Sequence, residues 1–434
     1  MRILKSKDIH GKLFSFKNIS IKRYINSDFW DLFILVILLL SLFVKLIKFL
    51  PSILNFSLDW FGYSEFLINY EGGFVRRGFL GQLLYYSCDT LNIDPSSFII
   101  IISVVSFFLV FSYFYLIFKK SDYCWWILFS PLFCASTLDI IRKDYLLYLI
   151  LIGTLYLLKK ENLNFLLIFG ITLLTVLGLL IHESFVFWGC PVVLFLIITS
   201  HSKNFYKYIS ITIILGVFLF VFYYHGTQDS VIRIVNSWNL ILDNPLDVNA
   251  RNSISALSWK TYDTLIFHLK TNFYTREFGW YTIIIRFIWG LIIFYLFSNF
   301  IFVFENKNKI NFQYKNLLSC IYLFLSVCLS PMFIALSCDW ARLYQYCIIT
   351  TFATFLIIPY DRILKYIPIC YYKVVDKFNS YLIKLNYPTK GIMIILLMII
   401  SVSQTGFDIN SMFKQSPLGS ICSIIEILVY PSRI

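Results

Sequence analysis

Four short groups of ionisable residues interrupt or end otherwise apolar segments of the chain. They are Glu71 with Arg76 and Arg77; Asp139, Arg142, Lys143 and Asp144; His182 with Glu183; and Asp339 with Arg342. Carboxylates and a histidine can take a proton from an attacking hydroxyl group, whereas arginine holds phosphate or carboxylate oxygens in a fixed geometry. These residue types therefore predict group transfer involving an anionic substrate.

Each group also has an ordinary explanation when it is taken alone. Residues 71–77 could form a turn before a helix, with arginines that touch lipid phosphates, and residues 139–144 could form a solvated hairpin tip. Asp339 and Arg342 are three residues apart, so they could pair with each other on a helix. His182 and Glu183 are joined to apolar sequence on both sides without a turn residue. The prediction of a site depends on the coincidence of all four groups.

The composition indicates the surroundings of these groups. Of the 434 residues, 59% are apolar, 20% are aromatic and 14% are charged, whereas soluble domains average about 25% charged residues. Near-continuous apolar runs recur along the chain, many of them close to the ~20 residues that cross a bilayer. We predict an all-α, polytopic integral membrane protein with about eleven transmembrane helices, forming a single transmembrane domain over residues 1–434.

The distribution of basic residues predicts the orientation of the chain. The net charge is +13, and lysines collect in short segments between apolar runs, as expected for cytoplasmic loops. Only three of the twelve arginines, Arg2, Arg23 and Arg362, fall in these segments. Residues 1–28 are then a basic cytoplasmic tail, and all four ionisable groups fall on the opposite face. Because ionisable side chains are costly near the membrane core, such a set is a functional-site hypothesis.

Two longer segments are predicted on the face that carries the ionisable groups. Residues 51–97 form a first periplasmic loop with a juxtamembrane helix at Phe79–Tyr86, and residues 225–279 form a large periplasmic loop. Two stretches of the second loop have apolar residues at helical spacing, which predicts amphipathic helices on the membrane surface. Their members are Val231, Ile234, Val235, Trp238 and Leu242, and then Ile254, Leu257, Thr261, Leu265 and Leu269.

This layout resembles that of the enzymes of bacterial surface-polysaccharide synthesis. It is similar to the O-antigen or capsule polymerases (Wzy-type) and, more broadly, to the GT-C glycosyltransferases that use polyprenyl-linked sugars. The resemblance implies periplasm-facing transfer or polymerisation of polyprenyl-pyrophosphate-linked oligosaccharide repeat units at the bacterial inner membrane, with a cytoplasmic N-terminus. The implied partners are a polyprenyl-linked glycan, membrane lipids and a chain-length regulator protein, with no nucleic acid.

The required chemistry assigns a role to each candidate residue. Glu183, His182 and Glu71 are candidate catalytic bases; Arg76, Arg77, Arg142, Lys143 and Arg342 are candidate phosphate or pyrophosphate ligands; Asp139 and Asp339 are supporting residues. The GT-C resemblance also implies a catalytic acid in the first outside loop, at Asp59, Glu65 or Glu71. That loop has no paired Asp-Asp or Asp-Glu, and the ten cysteines form no C-x-x-C motif. No metal site or cofactor is therefore predicted, although a divalent metal stays open.

Two alternatives remain open at this stage. One is a GT-C glycosyltransferase that takes a single sugar from a polyprenyl-phosphate donor, and the other is a flippase or transporter of lipid-linked glycans. Transporters usually show internal repeats and polar groups near the midplane, and the sequence shows neither clearly. No G-x-x-x-x-G-K-[ST] motif is present, which argues against an ATP-driven function.

Overall fold

A computed structural model describes residues 61–120, 140–242, 244–273, 312–337 and 339–384, with isolated positions within 36–47, 284–291 and 416–422. All regular secondary structure in these ranges is helical, which confirms the all-α prediction. The α-helices are α1 Phe61–Ser64, α2 Gly78–Leu91, α3 Pro95–Lys120, α4 Asp144–Leu158, α5 Phe165–Ile181, α6 Phe185–Ile198, α7 Asn204–Tyr223, α8 Gln228–Asn239, α9 Thr261–Phe273, α10 Phe312–Cys328, α11 Trp340–Ile357, α12 Tyr360–Leu364 and α13 Ile369–Lys384, and a π-helical segment, Met332–Leu336, lies between α10 and α11.

The apolar runs coincide with helices wherever the structure describes them. The apolar runs in the sequence at 145–158, 163–181 and 184–199 correspond to α4, α5 and α6 within two residues at each end. Asn164 ends the loop before α5, because its side-chain oxygen accepts a hydrogen bond of 2.9 Å from the Leu167 backbone N–H. Runs predicted near 29–50, from 123, over 280–304 and over 391–406 lie wholly or mostly outside the described residues.

Two described helices are long and apolar enough to cross a bilayer, judged by length and composition: residues 95–118 of α3 and the whole of α7. Both present large apolar side chains outward, including Phe108 and Leu109 on α3 and Leu219 and Phe222 on α7. A contiguous exposed apolar surface of this kind is unusual for a protein in water. Helices α4, α5 and α6 are also apolar but shorter.

Three helices meet around an aromatic core. Trp188 of α6 stacks on Tyr346 of α11, with ring centroids 4.8 Å apart and planes 11° apart. Tyr148 of α4 lies against both rings, at 5.4 Å from Trp188 and 6.1 Å from Tyr346. All three side chains are fully buried. This stack holds the N-terminal halves of α4, α6 and α11 side by side.

The opposite end of the same helices is joined by one buried arginine. Arg362 of α12 is 3% exposed, and its guanidinium donates to the carbonyl oxygens of Leu158, Lys160 and Leu196. These carbonyls lie at the C-terminal ends of α4 and α6. We call this part of the bundle the lysine-rich end, because it carries Lys159, Lys160, Lys203, Lys207 and Lys365. The ionisable residues at 143–144, 182–183 and 342 lie at the other end, as predicted.

The two long segments predicted on one face pack against each other. Trp238 of α8 donates from Nε1 to the Leu67 carbonyl oxygen at 2.6 Å, and Asn69 Nδ2 donates to Ser237 Oγ at 2.9 Å. Ser253 Oγ donates to the Phe61 carbonyl oxygen at 2.7 Å. Residues 61–70 are therefore held between the helical bundle and residues 228–258.

The two amphipathic stretches need correction in different ways. Val231, Ile234, Val235 and Trp238 do form one face of α8, but that face is buried in the protein and does not face lipid. The second stretch is not one helix. A 3₁₀ helix, Ser255–Ser258, is followed by an extended Trp259 before α9 begins. The Asn252 side chain starts the 3₁₀ turn by accepting hydrogen bonds from the backbone N–H groups of Ile254 and Ser255, and this local bonding competes with a regular helix.

Gly81 allows α2 to approach residues 65–69 closely, so Gly81→Ala is expected to destabilise the protein. A Cβ atom at this position would overlap the Ile68 carbonyl oxygen and lie 2.7 Å from the Phe66 carbonyl oxygen. Both are backbone atoms that cannot rotate away, and overpacking of this kind costs about 1–3 kcal/mol or more. Thermal unfolding of the detergent-purified variant should show a lower Tm.

Gly216→Ala is the matched control, because a Cβ atom on this α7 glycine meets nothing within 4 Å. Alanine is the better helix former, so the Tm should stay level or rise slightly. Equal Tm values for the two variants would contradict the close approach at Gly81.

Candidate functional site

Glu65 lies at the centre of a group of buried ionisable side chains. It follows α1, is 2% exposed, and faces three cationic or polar groups from three parts of the chain. His182 Nε2 lies 2.9 Å from Oε1, Arg77 Nη1 lies 3.5 Å from Oε1, and Arg342 Nη2 lies 3.6 Å from Oε2. The His182 contact is at hydrogen-bond distance, whereas the two arginine contacts are longer ion pairs. The Glu65 oxygens thus have charged neighbours but keep unused acceptor capacity.

The charge state of Glu65 follows from these neighbours. Burial raises the pKa of the carboxyl group, but the positive charge of Arg342, together with His182 and Arg77, holds the pKa well below its usual range. Glu65 is therefore ionised at neutral pH. Removing its cationic neighbours would leave a buried charge without compensation.

Glu183 is held by a fork-shaped arginine contact. Arg77 Nε lies 2.9 Å and 2.8 Å from the two Glu183 oxygens, and Arg77 Nη2 also donates to Oε1. Burial raises the pKa of Glu183, but the Arg77 guanidinium outweighs burial and the pKa is lowered. A carboxyl group with a lowered folded-state pKa contributes stability above its ordinary pKa and loses that contribution as the pH falls through the folded value.

The backbone of Arg77 is itself unusual. Its φ of 65° places it in the left-handed region, where a non-glycine residue is uncommon. The Arg77 carbonyl oxygen accepts a hydrogen bond of 3.0 Å from Lys143 Nζ. Lys143 is fully buried, its ammonium lies 5.8 Å from the centre of the Phe66 ring, and burial lowers the pKa of Lys143 to about 8.

A second fork joins α11 to the start of α4. Arg342 donates from Nε to Asp144 Oδ2 at 2.6 Å and from Nη2 to Asp144 Oδ1 at 2.7 Å. Tyr346, one turn further along α11, donates its hydroxyl to Asp144 Oδ1 at 2.5 Å. Because Tyr346 also stacks on Trp188, the aromatic core fixes the position of this carboxylate.

His182 joins the end of α5 to Glu65. Its Nδ1 accepts a hydrogen bond of 3.0 Å from the Ser184 backbone N–H, which assigns the ring proton to Nε2, the atom that faces Glu65. Burial lowers the pKa of His182, and the nearby Arg77 lowers it further. The imidazole is therefore neutral, with both nitrogens directed at protein groups.

We call these residues the charged network: Glu65, Arg76, Arg77, Lys143, Asp144, His182, Glu183 and Arg342. It contains three carboxylates, three arginines and one lysine, which gives a formal charge of +1. Arg76 is the least engaged of the four. Its guanidinium is 28% exposed and reaches Glu183 only at 3.8 Å, and its buried Nε has no hydrogen-bond partner among the described residues. The excess charge is placed where a ligand can approach.

Most of the residues singled out in the sequence are brought together here. His182, Glu183, Arg76, Arg77, Lys143 and Arg342 all belong to the charged network. Glu71 does not join it, because its side chain is exposed and accepts a hydrogen bond of 3.0 Å from Gln82 Nε2. Arg142 precedes Lys143 and is half-buried.

Of the two supporting aspartates, Asp339 lies within the described residues and Asp139 does not. Asp339 caps α11, accepting from the Arg342 backbone N–H at 3.3 Å, while the Arg342 guanidinium binds Asp144. The ordinary explanation of this group, in which Asp339 and Arg342 simply pair with each other, does not account for the Arg342 guanidinium, which binds Asp144. Asp139 lies outside the described residues.

Three residues of this site have no definite role in the prediction from sequence. Glu65 is predicted only as one of three acids that the GT-C resemblance allows, and neither Asp144 nor Tyr346 has a predicted role. Tyr346 had a usable signal, because it follows Arg342 by four residues and so shares its helical face. The pairing of Arg342 with Asp144 spans 198 residues, and no local pattern reports it.

A cavity of about 540 Å³ lies between α10, α11 and α13. Its lining is mostly apolar and also comes from residues 287–291 and 330–334. It includes Trp340 and Tyr344, which are two residues before and after Arg342 and therefore lie on a different face of α11. Among the described residues, no group of three or more His, Cys, Asp or Glu side chains is arranged to hold a metal ion.

Comparison with protein-family models, with curated proteins and with solved structures finds no match to this chain.

Arg342→Ala is expected to destabilise the protein strongly. The substitution leaves the Asp144 carboxylate buried and without its cation, and breaking a buried ion pair from one side costs about 3–5 kcal/mol. The double variant Arg342→Ala with Asp144→Asn removes the stranded charge as well, so it should recover part of the loss. Chemical unfolding in detergent, followed by tryptophan fluorescence, measures both.

Arg233→Ala is the control for loss of an arginine. Arg233 pairs with Asp229 at 3.0 Å on the surface of α8, where both side chains are more than half exposed. Exposed pairs add little to stability, so this variant should unfold like the parent. A double variant no more stable than Arg342→Ala alone would show that Asp144 does not depend on Arg342.

Proposed function

We propose that this chain is an integral membrane enzyme that transfers or polymerises polyprenyl-pyrophosphate-linked oligosaccharide units on the periplasmic face of a bacterial inner membrane. The N-terminus is cytoplasmic, about eleven helices span the bilayer, and the lysine-rich end faces the cytoplasm. The proposal rests on one observation above all. The charged network, which is buried and nearly charge-balanced, lies at the end of the bundle opposite the lysine-rich end, and Glu65 is at its centre.

Helix lengths support a site recessed into the membrane. Helices α4, α5 and α6 have 15, 17 and 14 residues, which corresponds to about 21–26 Å at 1.5 Å per residue. Helix α3 has 26 residues and is about 39 Å long. Because the hydrocarbon core is about 30 Å thick, helices that end at the charged network stop short of a full crossing. The network is then below the level of the lipid head groups.

The three carboxylates are suited to different roles in glycosyl transfer. Glu183 and Asp144 are each held by an arginine fork, so they position Arg77 and Arg342. Glu65 is ionised and is not held by an arginine fork, so it can orient an acceptor hydroxyl group and take its proton. This assigns the catalytic role to Glu65 in place of Glu183, His182 and Glu71, and it matches the acid that a GT-C enzyme carries in its first outside loop.

In the proposed reaction the acceptor oxygen forms a bond to the anomeric carbon of the donor sugar. The bond from that carbon to the pyrophosphate oxygen breaks, and the hydroxyl proton passes to Glu65. Arg76 carries the excess positive charge and stabilises the negative charge that grows on the departing pyrophosphate. The apolar cavity beside Trp340 and Tyr344 accommodates part of the polyprenyl chain.

A GT-C transferase that adds one sugar is the second candidate, favoured by the position of Glu65 in the first outside segment. A flippase or transporter is less well supported, because the charged network lies at helix ends, whereas carriers bind substrate at helix breaks near the midplane.

Deletion of the gene in its source cell separates these functions. Loss of a polymerase should leave lipopolysaccharide with the core and a single repeat unit, because units are still made and attached. Loss of a transferase or flippase should shorten, alter or remove the unit. Gel electrophoresis of the lipopolysaccharide reports the outcome. An unchanged ladder of long chains after deletion would exclude the polymerase.

Glu65→Gln is expected to abolish complementation of that deletion. The amide has nearly the shape of the carboxylate but cannot take up the acceptor proton, and general acid–base groups contribute about 10²–10⁴-fold to rate. Transfer to an acceptor glycan in isolated membranes measures the same loss directly. Immunoblotting and size-exclusion chromatography establish that the variant is inserted and folded.

Glu71→Gln is the matched control from the same loop, since Glu71 is exposed and bound to Gln82. It should keep near-parental transfer activity. If Glu71→Gln is inactive while Glu65→Gln retains full activity, the role belongs to Glu71 and the assignment to Glu65 is wrong.

A further inference from the structure

Helix α13 has a buried apolar position, two exposed lysines and two exposed apolar side chains. Val375 is buried against the bundle. Lys373 and Lys377, four residues apart, are both exposed. Val374 and Phe378 are also four residues apart, and they are 65% and 40% exposed. The helix thus carries a basic stripe beside an exposed apolar stripe, which is the pattern of helices that lie in a membrane interface.

A second apolar cavity, of about 520 Å³, lies next to the start of α13. It is formed by α6, α10, α12 and the connection from α12 to α13, and its lining includes Phe195, Phe324, Ile363, Tyr366, Pro368 and Cys370. Of these, Pro368 and Cys370 are exposed and mark its mouth. The volume is within the ~300–1,000 Å³ range of ligand sites.

The mouth of this cavity and the basic stripe share one side of α13. Cys370, Lys373 and Lys377 are spaced three and four residues apart, so they lie on the same helical face. Residues 359–384 carry five basic and two acidic side chains. One of the acids, Asp376, is engaged by Asn316, whose Nδ2 donates to it at 2.9 Å. The exposed ammonium groups are therefore left to attract an anion.

The geometry points to a site for an anionic glycerophospholipid at the lysine-rich end, with one acyl chain in the cavity and the head-group phosphate between Lys373 and Lys377. The apolar lining suits a hydrocarbon chain, and ammonium groups at the mouth suit a phosphate. This site contains no residue of the charged network and shares no lining residue with the cavity beside Trp340, which takes Val374, Val375 and Phe378 of the same helix. The inference rests on the membrane placement in the proposed function but not on glycosyl transfer.

Photo-crosslinking in lipid nanodiscs tests this site. The full chain is placed in nanodiscs that contain phosphatidylglycerol with a photoreactive acyl chain, and crosslinked peptides are mapped by mass spectrometry. Crosslinks should concentrate on the cavity lining around Phe324 and on residues 363–371. The double variant Lys373→Gln with Lys377→Gln should reduce them at least roughly tenfold, because each lysine adds to the attraction for anionic lipid.

Lys159→Gln with Lys160→Gln removes the same charge from the same end but away from the cavity, and it should leave the crosslinks unchanged. Equal crosslinking by phosphatidylcholine, an equal loss in the control, or crosslinks spread evenly over the bundle would overturn the site. Preferential crosslinking by a photoreactive polyprenyl phosphate would assign the cavity to the donor instead. Because no arm measures transfer, an inactive chain that still crosslinks phosphatidylglycerol here would refute only the proposed reaction.

Discussion

The Glu65 carboxylate must be balanced by positive charge inside the protein, and this requirement links distant parts of the chain. An isolated buried charge costs several kcal/mol, so cationic or polar groups have to come from the start of α2, the end of α5 and the start of α11. Arg77 and Arg342 each bind a second carboxylate as well, on α5–α6 and α4 respectively. The network therefore holds together only if all of these helix ends meet at one place.

The packing around the charged network fixes the relative positions of these helix ends. On one side, the missing side chain of Gly81 lets α2 touch the backbone that carries Glu65, and the Trp238 indole fixes the same segment through Leu67. On the other side, the stack of Trp188 on Tyr346 sets the position of Asp144. Preorganised side chains of this kind lower the cost of binding and of stabilising charge in a reaction.

The helices could be predicted because they depend on local information, whereas the contacts within the site do not. Apolar runs end at lysines or at ionisable pairs, so the ends of α4, α5 and α6 were predicted within two residues. The apolar face of α8 was equally visible from its spacing, but its burial in the protein was not, because spacing does not say what an apolar face will contact. The break at Trp259 was missed because the apolar spacing continues across it. The partner of each arginine was also missed, since the type of a residue does not say which distant carboxylate will face it.

Arginine side chains are bound to protein groups at both ends of the bundle. Among the described residues, Arg362 is the arginine of the lysine-rich end, and it is buried against three carbonyl oxygens. At the other end, Arg77 and Arg342 are bound to carboxylates in the same fixed manner. Arginine is thus used at both ends where several hydrogen bonds must be held in a set geometry, so its abundance alone is not evidence of phosphate binding. Arg76 is the residue that favours an anionic substrate. Its charge is in excess, its side chain is partly exposed, and its Nε has no partner within the described structure.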